Sequence, residues 1–435
     1  MVFKLWTYMI VGALESLPSE MMMERLEELY ISRCRALRMF LRGKSLTMLK
    51  ILKIEECEKL ESLPEGILMN NGDACQVSHF AELSIESCPC LKSFPTGHLP
   101  NSFKRLYVRN CKQLEFIPQR MLQYYRELEE IQLYGNNSRD DWSKYERRYI
   151  HNCYILKCSR IDKLDGLDGL ELLCPFIPNL KRLTINSFKN LKSLPDKLQH
   201  LKSLDELCIT QCPRIEFIPD GGLPSNLLSL KISFCLGIES IPDSGFSPNL
   251  RDLCISCCEN LKSLPNKLQD LNSLDKLHIE NCSGIESISD GGLHPNLTSL
   301  VIVNCLRIES ISDGGLPPNL TSLVIGDCPR IESIPDDGLP PNLKYLQIRH
   351  CPSIESIPYC GSAPNLGELI IYCKNLKKPM QEWGLSSITS LLSFEICWIC
   401  PPDNVLPTSL TCLVVRNVEN MKSIPKGLLQ NLNSL

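Results

Sequence analysis

Three blocks of 23 residues, laid end to end between Leu297 and Asn365, constrain this chain more than any other feature. They read LTSLVIVNCLRIESISDGGLPPN, LTSLVIGDCPRIESIPDDGLPPN and LKYLQIRHCPSIESIPYCGSAPN. Counted from the first Leu of each block, apolar residues recur at offsets 0, 3, 5, 11 and 14, and a Cys stands at offset 8. A block this short cannot bury its own apolar side. Each must lean on the next, so the period predicts a stack held together by its interfaces rather than a single core.

A skeleton L-x-x-L-x-I-x-x-C at a period in the twenties is that of a leucine-rich-repeat solenoid. Eighteen repeats can be phased from Phe3 to Leu410, most of them 23 to 25 residues apart. The expected fold is an α/β-type solenoid, a curved horseshoe. Its concave face is a parallel β-sheet built from offsets 3 to 5, with Leu and Ile pointing inward. The convex return path, as in IESIPDDGLPPN, holds too many Pro and Gly for a regular helix and is expected to run as turns. In NLKSLPDKLQHLKSL and NLKSLPNKLQDLNSL the KLQ-x-L spacing predicts about one helical turn instead.

The whole of 1–435 reads as one repeat domain, regular over 1–134, irregular over 135–179 and regular again over 180–435. The irregular part holds GNNSRDDWSKYERRY, where charged and aromatic residues replace the apolar offsets, and the overlong DGLDGLELLCPFIPN. It is either a recognition insert or a decayed repeat. At the start, Phe3, Trp6, Tyr8, Val11, Leu14 and Leu17 fall on the repeat offsets, which favours a first repeat over a secretion signal. Neither end shows the polar cap of a natural solenoid, so the chain is expected to be part of a longer protein.

A net charge of −4 leaves no basic footprint for nucleic acid, and no apolar run reaches the ~20 residues of a membrane span. Of the 24 cysteines, thirteen occupy one repeat position, from Cys34 to Cys373, the last one residue early. Stacked at the strand spacing, such thiols act as small apolar groups that donate weakly to nearby backbone. An oxidising compartment would scramble them, which points to a reducing, cytoplasmic location.

Motifs for chemistry are fragmentary. Gly43-Lys44-Ser45 lacks the earlier Gly of a phosphate loop, and Cys397-x-x-Cys400 has no second pair at zinc spacing. No metal, cofactor or enzyme activity is expected. A row of Glu at offset 12, with Glu216, Glu239, Glu286, Glu309, Glu332 and Glu355 interrupted by Lys262, is either a solvated edge or a dock for a basic domain. The formal glycosylation sequons at Asn136, Asn281, Asn296 and Asn319 carry no weight without a secretion signal.

The concave offsets 1, 2, 4, 6 and 7 are the expected binding surface. Aromatic and Arg side chains there are the types enriched in hot spots: Tyr107, Arg109, Tyr134, Tyr154, His278, Tyr345, Arg349, His350, Tyr372 and Trp398. Adjacent repeats should bring Tyr345, Arg349, His350 and Tyr372 together, beside the bland Thr, Ser, Val and Gly of the two blocks before them.

The L-x-x-L-x-I-x-x-C core, its L-K-S-L-P and I-E-S-I-P continuations and the P-N-L links resemble the repeat region of plant intracellular disease-resistance proteins of the coiled-coil, nucleotide-binding class. The N-x-L-x-G-x-I-P of extracellular plant repeats does not occur. The resemblance implies a sensor that binds a pathogen effector, or a host protein guarded against one, and restrains a nucleotide-binding domain, which this sequence lacks. The alternative from another class is a substrate adaptor of a ubiquitin ligase or another interaction scaffold. A secreted enzyme inhibitor would need a signal peptide and terminal disulfides.

Overall fold

A computed structural model of the chain describes residues 5–9, 15, 26–39, 48–63, 79–92, 103, 105–111, 130–134, 153–158, 180–188, 191–194, 196–218, 223–242, 246–288, 292–311, 315–335, 338–402 and 405–418. The Gly43 to Ser45 fragment, Asn136 and most of 135–179 lie outside them. The chain forms two compact units, one of residues 1–215 and 222–226, the other of 216–221 and 227–435.

The first unit carries β1 (Leu5–Met9), β2 (Glu28–Ser32), β3 (Ile51–Glu55), β4 (Glu82–Glu86), β5 (Arg105–Cys111), β6 (Glu130–Tyr134), β7 (Cys153–Cys158), β8 (Arg182–Asn186) and β9 (Glu206–Thr210). All pair in parallel. From β1 to β5 each strand neighbours the next in sequence, whereas β7 pairs with both β5 and β6, and β6 continues to β8. The departure from sequence order coincides with the break in the repeat at 135–149.

In the second unit strand order follows sequence order. Its strands are β10 (Ser229–Ser233), β11 (Asp252–Ser256), β12 (Lys276–Glu280), β13 (Ser299–Val303), β14 (Ser322–Gly326), β15 (Tyr345–Arg349), β16 (Glu368–Tyr372), β17 (Ser393–Cys397) and β18 (Cys412–Arg416), each parallel to the next. A strand thus covers offsets 2 to 6, one residue longer at each end than the apolar pair alone suggests. Register is locked by that pair: Leu300, Leu323, Leu346 and Leu369 align, as do Ile302, Ile325, Ile348 and Ile371. A slip by one residue would turn every Leu and Ile outward.

Among the described residues the apolar offsets of β2 to β4 and of β8 to β17 point into the stack. Leu297, Leu300, Ile302, Cys305, Ile308 and Ile311 are at most 1% exposed, and their counterparts in neighbouring repeats match them. The ladder thiols donate to the carbonyl two residues back, as Cys328 does to Gly326 at 3.1 Å and Cys282 to Glu280 at 3.3 Å. The return path is made of turns. Leu343 N–H donates to the carbonyl of Pro340, closing a turn in which Pro341 supplies the fixed φ. Asn pegs from the P-N-L links cross to the previous repeat, Asn365 Nδ2 to the Pro341 carbonyl at 3.1 Å among them. Single parallel bridges joining Ser240, Ser263, Ser287 and Ser310 make a second, one-residue-wide ladder beneath the I-E-S-I segments. Single 3-10 turns stand at Asp196–His200 and Asn266–Asp270, where KLQ-x-L predicted helix.

Between strand and buried Cys lies a feature that the apolar pattern hides. Offset 7 adopts a left-handed backbone in thirteen repeats among the described residues, with φ between 50° and 65° at Arg33, Glu56, Ser87, Ser187, Gln211, Phe234, Cys257, Asn281, Asn304, Asp327, His350, Trp398 and Asn417. Its N–H reaches the strand-end carbonyl of the next repeat, as from Asp327 to Arg349 at 2.9 Å and from His350 to Tyr372 at 2.7 Å. Asn and Asp tolerate this region best among residues with a Cβ. The repeat that begins at Leu366 lacks such a residue, and its Cys373 follows β16 directly. A one-residue deletion at the left-handed position explains why that Cys comes early.

Candidate recognition face

The open face of the second unit's sheet displays offsets 2, 4 and 6 of each strand, all half-buried over β13 to β16 except Gly326, which is buried. On β13 and β14 these positions are Ser299, Val301, Val303, Ser322, Val324 and Gly326, a patch without charge. β15 and β16 then bring the polar and aromatic groups. Arg349 pairs across the ladder with Gly326 on one side and with Tyr372 on the other.

Arg349 lies over Gly326. A Cβ added to that glycine would stand 3.1 Å from Arg349 Nε and 3.2 Å from its Cγ, with Val303 Cγ2 at 3.7 Å. The bare glycine therefore forms the seat of the arginine's stem. Nε is shut off from solvent and has no acceptor, and among the described residues Arg349 makes no ion pair. A buried donor without an acceptor costs about 1–3 kcal/mol, so this one stands out.

Tyr372 is tied on its far side. Its hydroxyl hydrogen-bonds Glu395 on β17, and Arg416 on β18 closes on the same carboxylate with Nε to Oε1 at 2.6 Å. The Tyr372 bond, then Arg416, hold the Glu395 carboxyl below the usual carboxylate range, while burial and the same bond raise the Tyr372 phenol. The ring of His350 lies 6.2 Å from that of Tyr372, and His350 Nδ1 is 3.1 Å from Asp327 Oδ1. Tyr345 occupies the other end of β15, where its hydroxyl donates to Gln347 Oε1 at 2.7 Å. Burial raises its phenol, with Glu368 adding to the effect and Arg349 opposing it.

Of the expected group of four, Arg349 and Tyr372 are cross-strand neighbours whose side chains lean apart, and the His350 ring lies near that of Tyr372. Tyr345 stands at the other end of β15, within electrostatic reach of Arg349. His278 stands three strands off on β12, 3.2 Å from Glu280. Trp398 occupies the left-handed turn after β17, half-buried. Tyr107, Arg109, Tyr134 and Tyr154 sit on β5, β6 and β7, and their side chains lie outside the described residues. Glu395, Arg416, Asp327 and Gln347 complete the site without having been singled out from sequence. Stepping offsets 4, 6 and 7 through the register would have found them.

Elsewhere the geometry offers little chemistry. Four of the six offset-12 carboxylates are met by cations of the next repeat: Glu239 by Lys262 at 2.7 Å, Glu286 by Arg307 at 2.6 Å, Glu309 by Arg330 at 3.2 Å and Glu355 by Lys377 at 2.5 Å. Glu216 and Glu332 make no ion pair among the described residues. That alternation is what a solvated edge shows. Cys397 is buried at the end of β17 and Cys400 Sγ turns to the Pro401 carbonyl, and no His, Cys, Asp and Glu cluster of metal-binding form exists among the described residues. Burial pushes the Cys282 and Cys373 thiols up to about 11 and Cys351 up to about 12, so these three are poor nucleophiles at neutral pH. Among the described residues no helix is long and apolar enough to cross a membrane.

Repeat skeleton, in-register parallel strands and turn-built return path together define a leucine-rich-repeat solenoid. No family model and no curated protein matches the chain. Solved structures similar to it include the TLR13–ssRNA13 complex, at 15% identity over 90% of this chain and 67% of that one with a TM-score of 0.45. A leucine-rich-repeat protein of Leptospira interrogans aligns at 20% identity over 75% of this chain and 88% of its own, TM-score 0.44. YopM, a leucine-rich effector protein of Yersinia pestis, aligns at 18% identity over 95% and 89%, TM-score 0.38.

Proposed function

We propose that this chain is a protein-recognition module whose binding surface is the open face of β13 to β18. The observation that carries the reading is the juxtaposition of an uncharged Ser and Val patch with a fixed rim of Arg349, Tyr372 and Tyr345. A desolvatable centre beside Arg and Tyr anchors is the anatomy of a protein interface. A rigid sheet also presents these groups with little ordering left to do on binding.

The repeat subtype favours a finer reading. In it the chain is the sensor region of a plant intracellular immune receptor, the partner is a pathogen effector or a guarded host protein, and occupancy of the face is relayed to a nucleotide-binding domain in cis or in trans. A cytoplasmic, reducing setting fits the free thiols of the ladder. Proximity labelling in plant cells tests it. The full chain is compared with a variant carrying Ala at Tyr345, Arg349, His350 and Tyr372, and with an edge variant, Arg307→Ala with Arg330→Ala. Proteins labelled by the native chain and the edge variant but lost with the four-residue variant are the expected result. Identical sets from all three would overturn the assignment of the face.

A further inference from the structure

Resting on that reading, we propose that Arg349 is a preformed anchor for a carboxylate of the partner, and that the partner presents an Asp or Glu side chain next to a bulky apolar residue seated on Val301, Val303 and Val324.

Three observations converge on it. The first is charge. Carboxylates near Arg349, His350 and Tyr372 are engaged by other groups: Glu395 by Tyr372 and Arg416, and Asp327 by His350. Glu368 faces Tyr345 across the ladder rather than Arg349, whose cross-strand neighbour is Tyr372. Lys276 is matched by Asp252 at 3.8 Å and Arg416 by Glu395. Lys231 on β10 stands exposed to solvent, so Arg349 is distinguished by being partly buried as well as unpaired. Arg349 is left as a half-buried cation without an acceptor among the described residues.

The second is preorganisation. Because Gly326 has no Cβ, the stem of Arg349 lies down on the sheet and Nε is sealed against it. Part of the guanidinium's desolvation and much of its rotamer freedom are therefore already lost in the free protein. A planar guanidinium fixed in this way loses little more when a carboxylate docks on its remaining N–H groups. The third is the neighbourhood. Val303 and Gly326 precede Arg349 in the same offset row, and Val301 and Val324 stand beside them. An acidic residue on Arg349 thus carries its sequence neighbour over an uncharged patch, where a large apolar side chain is favoured and a second charge is not. A phosphate would also satisfy the arginine. The single cation and the apolar patch beside it favour a carboxylate.

The test uses a random twelve-residue peptide library displayed on phage and panned against the full chain. Clones that fail to bind a Val324→Lys variant are retained as users of the face. The expected result is a shared Asp or Glu adjacent to a Leu, Ile, Phe or Trp. Synthetic peptides from these clones should lose at least about tenfold in affinity on Arg349→Gln, and the same on replacing their acidic residue by its amide, without further loss when both changes are combined. Gly326→Val retains the charge but lifts the arginine from its seat, and should weaken the same peptides, whereas Lys231→Gln should not. Melting curves of each variant confirm folding. Face-dependent clones without an acidic residue, or clones indifferent to both Arg349→Gln and Gly326→Val, would overturn the anchor while leaving the recognition face in place. A selection yielding only clones indifferent to Val324→Lys would overturn the face and the anchor with it.

Discussion

The ring of Tyr359 is held between two glycines: a Cβ on either Gly361 or Gly384 would stand 2.7 Å from its Cζ. Gly384 also has φ of 71° and links the 3-10 turns Met380–Trp383 and Leu385–Ser387. Gly384→Ala meets both a clash and a left-handed backbone. The expected loss is roughly 2–3 kcal/mol of stability, read as a lower urea midpoint. Adding Tyr359→Ala should return part of it, because it removes the clash and not the backbone strain.

Phe234 presents the opposite case. It occupies the left-handed offset 7 with φ of 54° and 52% exposure, so its ring contributes little burial against the strain of a bulky residue there. Phe234→Gly should stabilise the chain by about 1 kcal/mol and Phe234→Asn by somewhat less. Thermal melts of the two variants against the native chain measure it.

Trp383 is fully buried, and its indole N–H donates to the Lys378 carbonyl at 3.2 Å. Trp383→Phe removes that bond and leaves the carbonyl without it, for an expected cost of about 1–3 kcal/mol. Trp383→Ala should cost about 3–5 kcal/mol through the cavity it opens. Loss of blue-shifted tryptophan emission in both variants, with chemical denaturation for the energies, checks the assignment.

The thiol ladder sets a pH dependence. Burial raises Cys282 and Cys373 to about 11 and Cys351 to about 12 from the ordinary 9.0. Below pH 9 these thiols are protonated in folded and unfolded chain alike and add no pH dependence. Above it the unfolded chain releases protons that the folded chain keeps, so stability falls as pH climbs from 9 through 11 and 12. Each such thiol adds a slope of up to about 1.4 kcal/mol per pH unit. Denaturation midpoints between pH 8 and 11 should drop steeply, and Cys282→Ala should flatten the curve.

Alkylation maps the same ladder. At pH 8, iodoacetamide should modify exposed Cys412 well before Cys305, Cys328 and Cys351, which are fully buried. Mass spectrometry of the digested chain reads the order. Equal labelling of Cys412 and Cys328 in the folded chain would contradict the packing.

The sequence alone determined which side of β2 to β4 and of β8 to β17 faces inward. The Leu and Ile at offsets 3 and 5, the Cys at offset 8 and the Ile at offsets 11 and 14 are buried where the period put them, because a solenoid repeats its nearest-neighbour contacts and burial follows the count. Register followed too, and it makes Arg349 and Tyr372 cross-strand neighbours. The outward face obeys no such period. That Arg349 lies down on Gly326 without an acceptor, while Tyr372 turns to Glu395 and Arg416, depends on side-chain direction and on which charge reaches which partner first. The left-handed turn at offset 7 escaped notice for a related reason: its occupants range from Asn and Asp to Phe and Trp, so the constraint acts on the backbone and leaves little trace in hydrophobicity. Apolar burial is additive along the chain and can be read as a pattern, whereas directional bonds and backbone strain exist only between groups that the fold has brought within a few ångströms.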